Sequence, residues 1–427
     1  KLNSTHFQFT IVLLLISNLL CGQENTAPLK LNEITFLGLT KTKVTYLKEL
    51  IFSKEKQPTT LSAIKKDLQI LKNTPGLKNV EFKLDTIDRE IGLNFLLEER
   101  ITALPSVNLG GIKDNFWFSL GYVENNFQGI GDFLLAYYQN NDGRHSGQLY
   151  YRKNRIGNSQ YGMSFSLNKW ASIEPLFFRE GTFDYLYDFT SFIVTGIRNI
   201  NQRGNVEIGL NYFVEKYSLI VDDISEFIPS PTKLTQPKLL NSVKLTWNRL
   251  DYDLFYLKGH QSTLNFQSVF TFEDKSLFTS FAFEDKLFFL LNNKLNLATR
   301  FRFAIATNNE SPFAPFVVDS HINIRGVGNR IDRGTAQIIL NLELRYTTFQ
   351  KKNWGSQLIV FTDSGTWRNP GGALSDLFDT SEFRQFVGGG VRLIYQKVFG
   401  AVIRLDYGID AYNPKQRGVV LGLGQYF

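Results

Sequence analysis

Apolar and polar residues alternate one by one over strand-length stretches along most of this chain, and no stretch supplies the 18 or more uninterrupted apolar residues of a membrane-spanning helix. Val206, Ile208, Leu210 and Tyr212 share one strand face, and Asn205, Glu207, Gly209 and Asn211 share the other. The same split sets Met163, Phe165 and Leu167 against Ser164, Ser166 and Asn168, and Val243, Leu245 and Trp247 against Lys244, Thr246 and Asn248. Further along, Leu295, Leu297, Phe301, Phe303 and Ile305 alternate with Asn296, Ala298, Arg300, Arg302 and Ala304. Ile338, Leu340, Leu342, Leu344 and Tyr346 alternate with Gln337, Ile339, Asn341, Glu343 and Arg345. Charges on such strands are tolerated only where the second face meets water or paired ions. A wet interior behind an apolar outer wall satisfies that condition.

A soluble sandwich with one face on a core also produces alternation. It accounts less well for an aromatic excess of 38 Phe and 18 Tyr among 427 residues, or for an export segment at the start. That segment, residues 1–23, carries Lys1 and His6 before an apolar run from Phe9 to Leu20, which is too short to span a bilayer and fits a secretory signal. Cleavage falls near Gly22 or Gln23. Cys21, the single cysteine, offers a second reading as a lipidated residue, which the bulky Leu20 before it disfavours. Cleavage beyond Cys21 removes all thiol chemistry.

Residues 24–104 read as a small α/β domain and linker. Leu31, Ile34 and Phe36 form a strand, Lys43 to Phe52 and Leu61 to Lys72 two helices, and Val80, Phe82 and Leu84 a following strand, with another over Ile91 to Glu98. Thr59 and Thr60 are candidate caps, and Pro75 and Gly76 end the second helix. Residues 105–427 read as a transmembrane antiparallel β-barrel. About 310 residues at nearly 20 per strand and turn suggest 16 strands, with roughly 14 or 18 also fitting. Closure follows from physics, because an open edge in hydrocarbon leaves backbone groups unpaired.

The chemistry of enzymes is missing. His6, His145, His260 and His321 lie far apart and form no zinc-binding pattern, no nucleophile elbow or phosphate loop occurs, and Gly388-Gly389-Gly390 is flanked as a strand. No cofactor and no metal is expected. A formal charge of +7 spread among 40 acids gives no warrant for nucleic acid as a partner.

Several stretches together resemble the BamA/TamA family of outer-membrane assembly proteins, also called bacterial surface antigens. Leu31 to Glu98 resembles one POTRA domain, and Leu109-Gly110-Gly111 through Asn126, Phe127, Gly129 and Gly131 the approach to the first hairpin. Ile324-Arg325-Gly326-Val327, then Gly334 and Asn341 to Tyr346, resembles the long-loop motif and its following strand, although the family usually has an aromatic where Val327 stands. Phe361-Thr362-Asp363-Ser364-Gly365 resembles the next diagnostic strand. Gly390, Arg392, Arg404 to Gly408 and the closing Gly422-Leu423-Gly424-Gln425-Tyr426-Phe427 resemble its ending. Order and spacing carry the likeness; each string alone is weak.

The resemblance implies that Arg325 and Gly326 sit on a loop folded back into the barrel, that Arg325 meets Asp363 near Gly365, and that Glu343, Arg345, Arg404 and Asp406 line the wall. Parity agrees for Arg404 and Asp406, which share a face opposite Ile403, Leu405 and Tyr407. Alternation alone would not send Asp363 inward, because Ile359 and Phe361 share its parity, so its inward placement rests on the resemblance. Val419, Leu421, Leu423, Gln425 and Phe427 are expected on one outward face, with Leu421, Leu423, Gln425 and Phe427 as the terminal assembly signal the resemblance implies.

By that resemblance the chain is an outer-membrane assembly factor that folds or inserts β-barrels through a lateral seam, pairing an incoming strand with the edge from Asn115 to Val123. Expected partners are unfolded outer-membrane protein substrates, outer-membrane lipids, and periplasmic or lipoprotein partners at the POTRA-like domain. A polypeptide-translocating or porin-like channel, and a structural anchor subunit, are the competing readings.

Overall fold

The computed structural model describes residues 28–87, 90–110, 117–141, 143–178, 181–220, 231–253, 256–311, 314–318, 323–327, 332–379 and 383–427. The expected targeting segment, Cys21, Gly111 and Asn115 lie outside them. No described helix is long and apolar enough to cross a membrane.

A small mixed domain comes first. Strand β1 (Leu29–Leu37) leads through helix α1 (Val44–Leu50), the two-residue β2 (Pro58–Thr59) and helix α2 (Leu61–Lys72) to β3 (Leu77–Ile87) and β4 (Glu90–Glu99). The sheet order is β2-β1-β4-β3, with β1 parallel to β4 and β3 at the edge. Thr60 caps α2 by accepting from the Ala63 amide at 3.2 Å. The α2 face with Ile64 and Leu71 closes a core with Leu31, Leu47, Leu77, Leu93 and Phe95. Asp67 is buried on α2 because its carboxylate accepts from the Phe52 and Ser53 amides at 2.6 and 2.9 Å, which otherwise have no helix or sheet partner after α1 ends.

A single antiparallel sheet follows. Its strands are β5 (Ala103–Gly110), β6 (Trp117–Phe127), β7 (Asp132–Asn141), β8 (Arg144–Lys153), β9 (Tyr161–Phe178), β10 (Gly181–Asn199), β11 (Gly204–Leu219) and β12 (Lys233–Asn248). The three-residue β13 (Asp251–Asp253) runs beside β14 (Tyr256–Thr271), then come β15 (Leu277–Asn292) and β16 (Leu295–Ala306). A long connection carries the short pair β17 (Phe316–Val318) and β18 (Asp332–Gly334) before β19 (Ala336–Lys351), β20 (Trp354–Arg368), β21 (Arg384–Tyr395), β22 (Val402–Asp410) and β23 (Arg417–Leu423). Leaving out β13, β17 and β18, sixteen strands make up this sheet among the described residues.

Alternation becomes two faces. On β11, Ile208, Leu210 and Tyr212 are exposed while Glu207 is buried. On β22, Ile403, Leu405 and Tyr407 are exposed while Arg404 and Asp406 are buried. At these positions the apolar residues face outward, reversing the usual order of a water-soluble sheet, and the charges turn inward.

The small domain is seated against turns of this sheet. The Lys43 amide donates to the Gly129 carbonyl at 2.9 Å, and Asn126 donates to Thr42 at 2.9 Å. Gln202 donates to the Leu50 carbonyl at 2.7 Å, and Asn73 donates to the Leu250 carbonyl at 3.1 Å while accepting from the Tyr252 amide. Ile101 bridges to Val398. These turns belong to four separate hairpins spread along the sheet.

Candidate functional site

The connection between β16 and β19 sends residues 323–327 onto the inner face, where Arg325 is fully buried. Its guanidinium is held on every side. Nε and Nη2 donate to the two oxygens of Asp363 at 2.8 and 3.0 Å, and the Arg325 amide adds a third bond to that carboxylate at 2.9 Å. Nη1 donates to Glu343. This is the two-pronged geometry that a planar guanidinium makes with a carboxylate and an ammonium cannot. The rings of Phe361 and Tyr426 lie 3.6 and 4.2 Å from its carbon. Because the carboxylates occupy the plane, these rings cover its two faces.

Neighbouring groups extend the network. Glu343 also accepts from Arg345 Nε at 2.6 Å, and Asp406 accepts from both terminal nitrogens of Arg392, at 2.6 and 3.2 Å. Asn341 donates to Asp363 at 2.8 Å and to the Asn323 carbonyl at 2.7 Å, and accepts from Arg300 Nε at 2.9 Å. Five arginines (300, 325, 345, 392 and 404) therefore meet three carboxylates (343, 363 and 406). Tyr426 offsets the difference: its ring lies 5.0 Å from Arg404 and 5.1 Å from Arg300, besides covering Arg325. In a site screened from water each such contact is worth about 2 kcal/mol.

Glycine makes the approach possible. The tip of the segment lies on Gly408 and Gly418, which pair across β22 and β23, and a methyl added to Gly408 would fall 2.6 Å from the Arg325 carbonyl oxygen. Gly326 has φ +93°, and a methyl there would fall 2.8 Å from the Gly408 carbonyl oxygen. Gly365 lies beneath Ile324, which packs with Ile339, Trp367 and Phe386. Val327 packs against that cluster, taking the place where the resemblance led one to expect an aromatic.

The structure thus brings together Arg325, Gly326, Asp363, Gly365, Glu343, Arg345 and Asp406, with Arg404 joined through the Tyr426 ring. Three expectations need correction. The edge expected from Asn115 to Val123 is not an edge where it is described: β6 pairs with β5 on one side and β7 on the other, and β5 is the strand beside β23. Alternation does send Asp363 inward: Ile359, Phe361 and Asp363 are all buried on the inner face of β20, while Leu358 and Val360 are exposed. The inner face carries apolar residues because Phe361 has a cation to stack on. The third concerns the ending. Leu421 and Leu423 are exposed on the outer face, but β23 stops at Leu423, and Gly424 with φ +85° turns the chain inward. Gln425 then contacts Gln357 of the inner face at 3.4 Å, and Phe427 packs near Phe288 with its backbone oxygen 3.2 Å from Arg345 Nη2.

Comparison with known proteins follows this geometry. The Omp85 superfamily domain matches residues 126–427. The chain belongs to the Omp85 superfamily. Among solved structures, BamA from Haemophilus ducreyi lacking POTRA domains 1–3 has a TM-score of 0.54 at 16% identity, over 92% of this chain and 83% of that one. CdiB from Acinetobacter baumannii gives 0.58 at 14% identity, over 93% and 74%. CdiB from Escherichia coli gives 0.61 at 11% identity, over 92% and 75%. At these identities the likeness is one of fold, and it takes in the POTRA-like domain ahead of the matched region. No match was found among curated protein sequences. As an Omp85 protein the chain is an outer-membrane, non-catalytic factor of protein biogenesis or translocation. No cluster of three or more metal-ligating side chains occurs among the described residues.

Proposed function

We propose that this Omp85 protein is a BamA/TamA-type assembly factor: its sheet closes into a sixteen-stranded transmembrane barrel, and it folds or inserts β-barrel proteins through a seam between β5 and β23. The cyclic strand order, with β23 beside β5, supports closure. Length supports the position of the seam. β5 and β23 have 8 and 7 residues, against 18 and 19 for β9 and β10, so strands of this length can share only a few hydrogen bonds. A client strand would pair with the opened edge, its backbone groups satisfied one bond at a time, and client folding would drive the step.

The observation that carries this reading is the seat of Arg325. The segment bearing it rests on Gly408 and Gly418 of the last two strands and is covered by Tyr426 just beyond β23, so inner-face contacts fasten the strand that would open. β3, at the free edge of the small sheet, would receive an unfolded client or a periplasmic or lipoprotein partner by strand addition. Residues 24–102 would form this periplasmic unit and 103–427 the barrel, two residues earlier than the sequence suggested, because β5 already pairs with β6 at Ala103.

Reconstitution of the purified chain with unfolded barrel substrates, with insertion and conductance measured together, tests the proposal. Insertion without steady conductance is the expected result. Conductance or polypeptide passage without insertion would make it a channel, and normal client assembly in its absence would make it an anchor.

A further inference from the structure

Two contacts of the small domain fall on either side of the seam, at the end of the sheet that faces that domain. In the order β21-β22-β23-β5-β6-β7, the seam strands β23 and β5 lie between the β21–β22 turn and the β6–β7 turn. Both turns are held. On the β6–β7 side, Lys41 pairs with Glu124 at 2.6 Å, the Lys43 amide donates to the Gly129 carbonyl, and the Tyr46 hydroxyl fills the place that a methyl on Gly131 would take. The amide and the side chain of Asn125 both donate to the Thr102 carbonyl, at 3.1 and 3.2 Å, which ties the linker to the same hairpin.

The other side is held by the linker itself. Ile101, two residues before β5, donates its amide to the Lys397 carbonyl and accepts from the Phe399 amide, both at 2.8 Å, so both of its backbone groups are engaged by the β21–β22 turn. Its side chain is exposed and takes no part in these bonds. Arg100 joins the turn to the body of the small domain: its amide donates to the Gly76 carbonyl at 2.9 Å and its Nε to the Leu77 carbonyl at 2.8 Å, while its guanidinium carbon lies 5.6 Å from the centre of the Phe399 ring. β22 is the neighbour of β23 and not of β5, so Ile101 reaches past a whole strand. It can do so because β23 stops at Leu423 and the chain beyond Gly424 turns inward, leaving the flank of that turn open.

A strand pair cannot separate while one body grips the hairpins on both sides of it, so opening has to release one grip. The β6–β7 grip combines an ion pair with backbone and side-chain bonds and is continuous with β5, whereas the β21–β22 grip consists of two backbone bonds and one ring contact. The second is the smaller. Resting on the reading of β5 and β23 as the lateral seam, we infer that residues 100–102 are a staple holding the seam shut at this end, and that the seam opens only when Ile101 leaves the β21–β22 turn. Movement of the small domain, to which Arg100 is bonded, is then what releases the seam.

Ile101→Cys with Val398→Cys, which face each other across the bridge, tests this in the full chain reconstituted in liposomes. Spin labels attached through incorporated keto residues at Leu120 of β6 and Leu405 of β22, both exposed on the outer face, report the distance across the seam. An unfolded barrel client is expected to add a longer component to the distance distribution of the reduced form and none to that of the oxidised form, with client insertion lost on oxidation and regained on reduction. Comparison within one sample separates the lock from a folding defect. Phe399→Ala, which removes the ring beside Arg100 and leaves the core of the small domain untouched, should raise the longer component in the absence of client roughly threefold, the effect of one partly exposed cation–ring contact. If the disulfide does not form, Phe399→Ala decides alone. Client-dependent opening that survives oxidation, or an unchanged distribution in Phe399→Ala, overturns the staple and leaves the seam standing. Absence of the longer component in every form, with or without insertion, overturns the seam reading and the staple with it.

Discussion

Arg325 illustrates how a buried charge becomes a structural commitment. Truncation to alanine leaves Asp363 buried without its guanidinium, while Glu343 keeps Arg345, a loss of about 3–5 kcal/mol for pairs of this kind. Arg325→Ala is expected to lower the urea midpoint, expose residues 323–327 to protease and impair client insertion. Arg325→Lys should recover less than half of the loss, because an ammonium cannot bond two carboxylates in one plane while two rings cover its faces. Unchanged protease sensitivity in the alanine variant would show that the segment is held by its apolar contacts alone. The meeting of Arg325 with Asp363 was legible through the order of two motifs. Phe361 was not, because an aromatic in a barrel strand reads by default as facing lipid, and only the position of the cation reveals the exception; Tyr426 was placed by parity opposite the outward face, but nothing in the sequence showed that it covers Arg325.

At the scale of elements, alternation carries the assignment while a strand lasts and fails where it ends. β22 and β11 were readable residue by residue, since each keeps one register from end to end. β23 was read four residues too long, because Gly424 in a strand pattern gives no local sign that it adopts a positive φ. The seat of the inner segment was likewise visible only as glycines in strands, whose reason is the backbone lying across them. Gly408→Ala sets a methyl against the Arg325 carbonyl, where neither side is a flexible chain, and is expected to cost about 1–3 kcal/mol and raise protease cleavage at 323–327. Gly196→Ala on β10, where the nearest atom is 4.0 Å away, should change the same readouts little. Gly424→Ala forces a side chain into the left-handed region and should loosen Tyr426 from Arg325 at a cost of about 1 kcal/mol. Tryptophan or tyrosine fluorescence quenching would follow that release. Equal effects at Gly196 and Gly408 would disprove the close-contact account.

For the whole molecule, the decisive contacts are those seating the small domain against the hairpin turns, and one carboxylate organises the largest of them. Glu99 accepts from the Lys41 and Thr42 amides at 2.8 and 2.7 Å and from the Thr40 hydroxyl, ordering the loop from which Lys43 reaches Gly129 and Lys41 pairs with Glu124. Partial burial works against the charged form, but these hydrogen bonds outweigh it and hold the Glu99 carboxyl at about 2, below its ordinary 4.5. A carboxyl depressed in the folded state contributes stability that is complete above the unfolded value and is lost as pH falls towards the folded one. Seating of the small domain should therefore be constant above about pH 5 and weaken between about pH 4.5 and 2. Hydrogen exchange at 40–43 and 129–131, corrected for intrinsic rates, would report it: protection should fall together in the two segments across that interval. Glu99→Gln retains an acceptor oxygen but loses the charge-assisted share of three bonds, so it should show the low-pH level of protection already at pH 7 and lose the dependence. Protection that falls only at 40–43 would mean that the loop opens while the domain stays seated through Gln202 and Asn73, and that these turns, not the Glu99 clasp, fix the domain against the sheet.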